Sequence, residues 1–262
     1  MVTANFSSRE YSLQRSGKKV ETPGQQSFGR FEFKYIVPDA IRSLLEKELG
    51  GFMEIDPFCR NRPSQTYLVR SLYFDDPDFH DYFAKIDGML NREKFRLRAY
   101  DEPGASPCFL EIKGRQNQFS YKHRFPLDPI VIKLISKRRW SSLAVHDSNS
   151  PVIQHFAAVA CRRNLLPQAG VNYTRRPYVS RRDYRFRVTF DSNLRAMHSR
   201  YFGQINAPSC GVLVGRSVIE IKFEHAIPAW FQRLIGAYEL QRVSISKYCR
   251  AAEALTLVQN LE

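Results

Sequence analysis

Large apolar and charged residues alternate one for one in five stretches of the chain. These are Arg30-Phe-Glu32-Phe-Lys34-Tyr, Lys94-Phe-Arg96-Leu-Arg98, Phe109-Leu-Glu111-Ile-Lys113, Arg185-Phe-Arg187-Val-Thr189-Phe-Asp191 and Ile219-Glu220-Ile-Lys222-Phe-Glu224. Successive side chains of an extended strand point to opposite faces, so each stretch predicts a strand with one apolar face and one charged, mostly cationic face. The wet side of an ordinary half-exposed strand carries Thr, Ser, Gln and scattered charge. Five strands that repeat Arg, Lys and Glu predict a shared, specialised surface for a strongly anionic ligand.

The wider pattern places strands over 28–37, 66–75, 91–100, 108–114, 118–127, 169–179, 184–192 and 211–224. Pro38 and Asp39 open a helix that presents Ile41, Leu44, Leu45 and Leu49 at helical spacing and stops at Gly50-Gly51. Further helices are predicted over 80–86, 129–146, 151–164, 228–240 and 247–261, with an irregular section over 193–210 and a hairpin connection at 101–104. Residues 1–27 read as a flexible basic leader and 28–262 as a single domain, because the same strand type occurs in both halves.

The helices are available to bury the apolar strand faces, which leaves the charged faces to meet one another. The predicted fold class is therefore α+β: a closed, mostly antiparallel eight-stranded β-barrel, a tunnel with a charged lumen and amphipathic helices packed outside. Lys34, Lys94, Arg96, Arg98, Lys113, Lys122, Arg124, Arg187 and Lys222 would line that lumen among a few carboxylates. Two cations roughly 6 Å apart repel by roughly 3 kcal/mol at an effective dielectric near 20. A polyphosphate relieves several such pairs at once, since each phosphate offers several acceptor oxygens to Arg forks and Lys ammonium groups. The acids are too few to neutralise the bases but are suited to holding a divalent cation against phosphate oxygens.

The 262 residues carry a formal net charge of +14, which favours an acidic partner: nucleic acid, anionic headgroups or a phosphorylated small molecule. A nucleic-acid binder needs exposed aromatics beside its basic side chains; here the aromatics mainly alternate onto the opposite strand face, so no nucleic-acid partner is expected. No apolar run is long enough to cross a bilayer, and no secretory h-region opens the chain; a cytoplasmic protein that is not itself transmembrane is expected. Five scattered cysteines without CxxC, and six histidines without HxxxH or HExxH spacing, predict reduced thiols and no zinc site.

Arg-x-Glu-x-Lys-Tyr at 30–35, Ser-Leu-Tyr-Phe-Asp at 71–75, Arg-x-Lys-x-Arg-x-Arg-x-Tyr at 92–100 and Leu-Glu-Ile-Lys at 110–113 occur in the order seen in VTC domains. Tyr-x-Arg at 173–175, Arg-Val-Thr-Phe-Asp at 187–191, Glu-Ile-Lys at 220–222 and Ser-Lys-Tyr at 246–248 complete a resemblance that covers about 28–250. Each motif is weak alone; eight in order are specific. The resemblance implies a triphosphate tunnel metalloenzyme, a relative of CYTH proteins, with a basic tunnel inside an antiparallel barrel. It implies polyphosphate synthesis from the terminal phosphate of ATP, with release of ADP and with manganese, magnesium or another divalent metal as cofactor.

On that resemblance Lys34, Arg96, Arg98, Lys113, Lys122, Arg124, Arg175, Arg187 and Lys247 would contact the triphosphate or the polyphosphate chain, with Lys94 and Lys222 beside them. Glu220 would be the principal metal carboxylate, with Glu32 and Glu111 nearby. Arg30 stands where the superfamily's opening signature has Glu, which favours the VTC branch over the CYTH triphosphatases and removes one metal carboxylate. The phosphate-sensing domain and membrane helices of the fungal subunits are not seen here, so their regulation and vacuolar channelling are not carried over. Two other readings stay open: an inorganic triphosphatase of the same tunnel type, and a non-catalytic polyphosphate binder acting as the cytosolic arm of a membrane-protein partner.

Overall fold

A computed structural model describes residues 31–101, 107–117, 119–204 and 206–258. The leader expected over 1–27, Arg30, residues 102–104 of the predicted hairpin connection and the end of the last helix lie outside the described residues. Chain order is β1 (Phe31–Pro38), α1 (Asp39–Leu49), β2 (Met53–Ile55), α2 (Pro57–Arg60), β3 (Tyr67–Asp75), α3 (His80–Ile86) and β4 (Arg92–Tyr100). There follow β5 (Cys108–Gln116), β6 (Phe119–Leu127), α4 (Pro129–Ser136), α5 (Trp140–His146), α6 (Pro151–Arg163) and β7 (Leu166–Ser180). The remainder is β8 (Arg187–His198), β9 (Cys210–Gly211), β10 (Arg216–Phe223), α7 (Ala229–Ala237) and α8 (Lys247–Ala254).

Strands pair antiparallel in the order β1-β10-β8-β7-β3-β4-β5-β6, with β2 added to β7 and β9 to β8. In a flat sheet the six steps from β1 to β5 would span about 29 Å. Lys113 on β5 nevertheless reaches Glu32 on β1 at 3.5 Å, so the sheet is curled and its ends approach one another. Among the described residues no ladder joins β1 to β6; the sheet is a curled half-barrel rather than a ring of paired strands. The outer edge of β1 is covered by the segment leading to α8, where Val243 N donates to Lys34 O at 2.8 Å.

Alternation decides where the cores lie. Leu72, Phe74, Phe95, Leu97, Leu110 and Ile112, from β3 to β5, pack beneath α4, α5 and α6. Tyr35, Val37, Val188, Phe190, Ile219 and Ile221 form a second core under α1 and α7. A third apolar cluster lies on the same side of the sheet as the charged row: Val69, Tyr73, Val171, Tyr173, Leu194 and Val218 pack against Tyr248, Cys249 and Ala252 of α8. The expectation that every helix packs outside is thus corrected for α8. The reason is local, since β7 offers Ala169, Val171 and Tyr173 on that side in place of charges.

Two departures from the predicted elements have identifiable causes. The helix expected over 129–146 is broken between α4 and α5, with Arg138 left-handed at φ 53°. β8 runs six residues past the predicted end at 192, because a register shift at Asn172/Thr174 and a left-handed Asn193 (φ 52°) reset its phase without ending it. Asn tolerates that conformation better than most residues. The bulge keeps Leu194 and Ala196 beside Asp191 on one face.

Candidate anion-binding site

Glu111, on β5, is fully buried and is the hub of one cluster. Arg96 reaches its Oε2 at 2.7 Å and Arg98 at 3.8 Å, while Lys122 and Arg124 approach Oε1 at 2.9 and 3.5 Å. Register creates the group: Arg96 and Arg124 are the direct cross-strand partners of Glu111 on either side. Burial alone would raise the Glu111 pKa, but the surrounding cations reverse this and hold the carboxyl well below its usual range. Two tyrosines fix the guanidiniums further. Arg96 donates to Tyr73 Oη at 3.0 Å, and Arg98 to Tyr173 Oη at 3.2 Å.

A second cluster is built from β1, β7, β8, β10 and the start of α8. Arg175 donates bidentately to Asp191, 2.6 Å to each oxygen, and reaches Glu220 at 2.9 Å. Lys247 pairs with Asp191 at 2.6 Å and with Glu220 at 2.8 Å. Lys34 lies between Glu32 and Glu220, at 3.0 and 3.7 Å. Burial would raise the Glu220 pKa; Lys247, Arg175 and Lys34 outweigh it and keep the group ionised. The α8 start is positioned by Ser246, whose Oγ accepts from Cys249 N as the helix N-cap and also receives Lys94 Nζ at 2.7 Å.

Between the clusters runs a row of lysines. Lys94, Lys113 and Lys122 are direct cross-strand neighbours on β4, β5 and β6. Like charges placed directly opposite destabilise a sheet. Burial lowers the pKa of Lys94, Lys113 and Lys222, and pushes Lys122 down to about 8, despite nearby carboxylates. Lys34 and Lys247 show the reverse: burial opposes their charge, but their carboxylates overcome it and raise both. The row is therefore under-compensated, whereas the second cluster is internally balanced. Across both clusters and the row, nine cations paired to four carboxylates leave an excess of five positive charges, with Lys94 additional.

Of the residues predicted from the sequence, Arg187 stands apart. Its side chain is 40% exposed and faces Asp56 at 3.9 Å, outside both clusters. Asp191 was not predicted as a site residue although it sits in phase with the charged positions of its strand, a signal that was available. Tyr73, Tyr173 and Ser246 were likewise missed, and with Tyr67 and Tyr100 they place more aromatics on the charged side than alternation alone indicated.

The carboxylates differ in their fitness to hold a divalent cation. Glu111 is a buried counter-ion with both oxygens engaged by cations. Glu220 is likewise engaged on both oxygens, by Lys247 and Arg175, and shares the Lys34 ammonium with Glu32, which is partly exposed at 27%. Among the described residues no three His, Cys, Asp or Glu side chains converge on a metal position. Hard cations of the kind bound by one or two carboxylates together with substrate phosphates are the class that so sparse an acid set could hold, with Glu32 the more available carboxylate. Among the described residues no helix is long and apolar enough to cross a membrane.

Residues 29–256 match the VTC domain as a family. Subunit 4 of the vacuolar transporter chaperone complex of Trypanosoma cruzi is 25% identical over 296 residues, covering 93% of this chain. The chain spans 36% of the length of that relative. A Bacillus halodurans structure described as an adenylate cyclase candidate superposes with a TM-score of 0.49 at 13% identity, over 83% of this chain and 95% of the other. The PH1819 protein of Pyrococcus horikoshii gives 0.42 at 13% identity, over 88% and 99%. With its motifs in order, its charged strands on one side of a curled sheet and nearly its whole length matched, the chain belongs to the VTC domain family.

Proposed function

We propose that this protein transfers the terminal phosphoryl group of ATP to the end of a growing polyphosphate chain, on the cationic side of the curled sheet. One observation carries the reading: the under-compensated row Lys94–Lys113–Lys122, directly opposed across three strands and flanked by two carboxylate-anchored cation clusters. A polyanion lying along the row converts each repulsive pair into a pair bridged by phosphate oxygens. In this reading the seam between β1 and β6 closes around the bound polyanion, completing the tunnel.

Phosphoryl transfer needs alignment and charge neutralisation rather than covalent chemistry from the protein. An oxygen of the chain-end phosphate attacks the γ-phosphorus in line; the bond from that phosphorus to the β,γ-bridging oxygen breaks, and ADP leaves. Arg96 and Arg98, locked by Glu111, Tyr73 and Tyr173, meet the developing charge without having to reorganise. Lys113, Lys122, Arg124 and Lys222 hold the phosphates on either side, while Lys34, Arg175 and Lys247 fix the Glu220 wall. Glu32 and Glu220 would hold manganese or magnesium, which supplies charge neutralisation on the phosphate oxygens. The relative's membership of a vacuolar transporter chaperone complex supports a partner in a complex of that kind for this chain.

The test is incubation of purified protein with ATP and manganese, followed by measurement of ADP, free phosphate and acid-insoluble polymer. Polymer formed in step with ADP supports the proposal. Phosphate release without polymer indicates a triphosphatase, and binding of polyphosphate without nucleotide turnover indicates a non-catalytic module.

A further inference from the structure

Beyond the lysine row, at the start of β4 and the end of β5, Arg92 and Arg115 are direct cross-strand partners. They share the sheet side of Lys94 and Lys113, but belong to none of the clusters above. Among the described residues neither guanidinium makes an ion pair. Arg92 donates to Met89 O and Arg115 donates to Asn117 O, the latter at 2.7 Å. Burial, and then the Arg115 charge, lower the Arg92 pKa. Two guanidiniums set opposite each other without an acid between them repel, and an anion placed between them would relieve that repulsion.

The pair lines a cavity of about 360 Å³ together with His80, Asn91, Gln116 and Arg163. Its two carboxylates are already engaged: Asp81 with Arg163 at 2.9 Å, and Glu93 with His155 at 2.9 Å and Tyr121 at 2.5 Å. One oxygen of Asp81, Oδ2, is buried without a hydrogen-bond partner. Burial and the neighbouring Asp75 push that carboxyl up to about 7. Same-side positions on a strand repeat every ~6.7 Å, which puts Arg92 about 13 Å beyond Arg96.

We infer that Arg92 and Arg115 form a second phosphate subsite that holds the polyphosphate chain several phosphates away from the transfer centre. This inference rests on the reading given under Proposed function, and it names where the product leaves that site. A triphosphate centred on Arg96 and Arg98 does not extend to this cavity; a long chain does.

The experiment compares the wild-type chain with an Arg92→Gln/Arg115→Gln variant in calorimetric titrations of inorganic triphosphate and long-chain inorganic polyphosphate. Triphosphate affinity is expected to stay within about twofold, while long-chain affinity falls about tenfold, as for loss of one charge-assisted contact. Unfolding of the ligand-free variant at or above the wild-type temperature confirms that the arginines do not stabilise the apo fold. Equal loss for both ligands, or no loss for either while wild type binds both, overturns the subsite and leaves the parent reading standing. A wild-type chain that binds neither ligand overturns the parent reading, and this one with it.

Discussion

Replacing Glu111 with Gln removes the anion at the centre of the first cluster and tests whether its cations are held for a ligand. Glu111 is fully buried and faces four cations at 2.7–3.8 Å. Removing one partner of a buried ion pair costs about 3–5 kcal/mol, because the remaining charge is stranded. Arg96 and Arg98 carry most of this. Lys122 and Arg124 are 46% and 38% exposed, and solvent screening holds their shares to about 1 kcal/mol or less. For a chain of this size each kcal/mol moves the midpoint by about 2–4 °C, so the ligand-free variant should unfold about 6–20 °C below wild type. A triphosphate restores the missing anion. In thermal scans at fixed salt, saturating inorganic triphosphate should therefore raise the midpoint of Glu111→Gln more than that of wild type. The reasoning is refuted by a variant that loses the stability but gains no more from triphosphate than wild type does.

Arg96→Gln should abolish polymer formation with circular dichroism close to wild type, and, because it takes the nearest cation from the buried Glu111, it should also lower the ligand-free midpoint. Asp191→Asn strands Arg175 and Lys247 in a buried setting and should cost about 3–5 kcal/mol in denaturant unfolding. Partial desolvation, with Arg96 and Arg98 beside it, holds Lys122 down to about 8 despite Glu111. Its charge is lost as pH rises through that value, so triphosphate affinity should fall between about pH 7 and about pH 9, and Lys122→Arg should flatten the fall. Its stability contribution has the opposite sense: full above the unfolded-state pKa, and lost as pH falls through 8. Gly114→Ala would place a Cβ 2.0 Å from Tyr121 Cζ, and should displace that ring from Glu93 at a cost of about 1–3 kcal/mol.

The strand alternation was legible because period two leaves no freedom: once Phe95 and Leu97 are buried, Lys94, Arg96 and Arg98 must share the other side. Pairing order was not, since register depends on contacts far apart in the chain, such as Lys113 with Glu32. The second cluster was half legible. Glu220, Arg175 and Lys247 came from the family motifs, but Asp191, which binds both cations, was given no role although it closes the 187–191 motif. The β8 bulge hid the continuation that makes Asp191 interior. Arg187 shows the limit of alternation, which sets the side of a sheet but not the depth along it. The position of α8 was illegible for a related reason: Tyr248 and Cys249 look like ordinary core residues, and nothing local says that their partners lie beside the charged row.

The most direct test of the account is a crystal structure of the protein with inorganic triphosphate and manganese. The account predicts phosphates on the cationic side of the sheet, between the Lys113–Lys122 row and Lys34, in contact with Arg96 and Arg98. Triphosphate bound on the helix-covered side, or absent from those residues at saturating concentration, would contradict it.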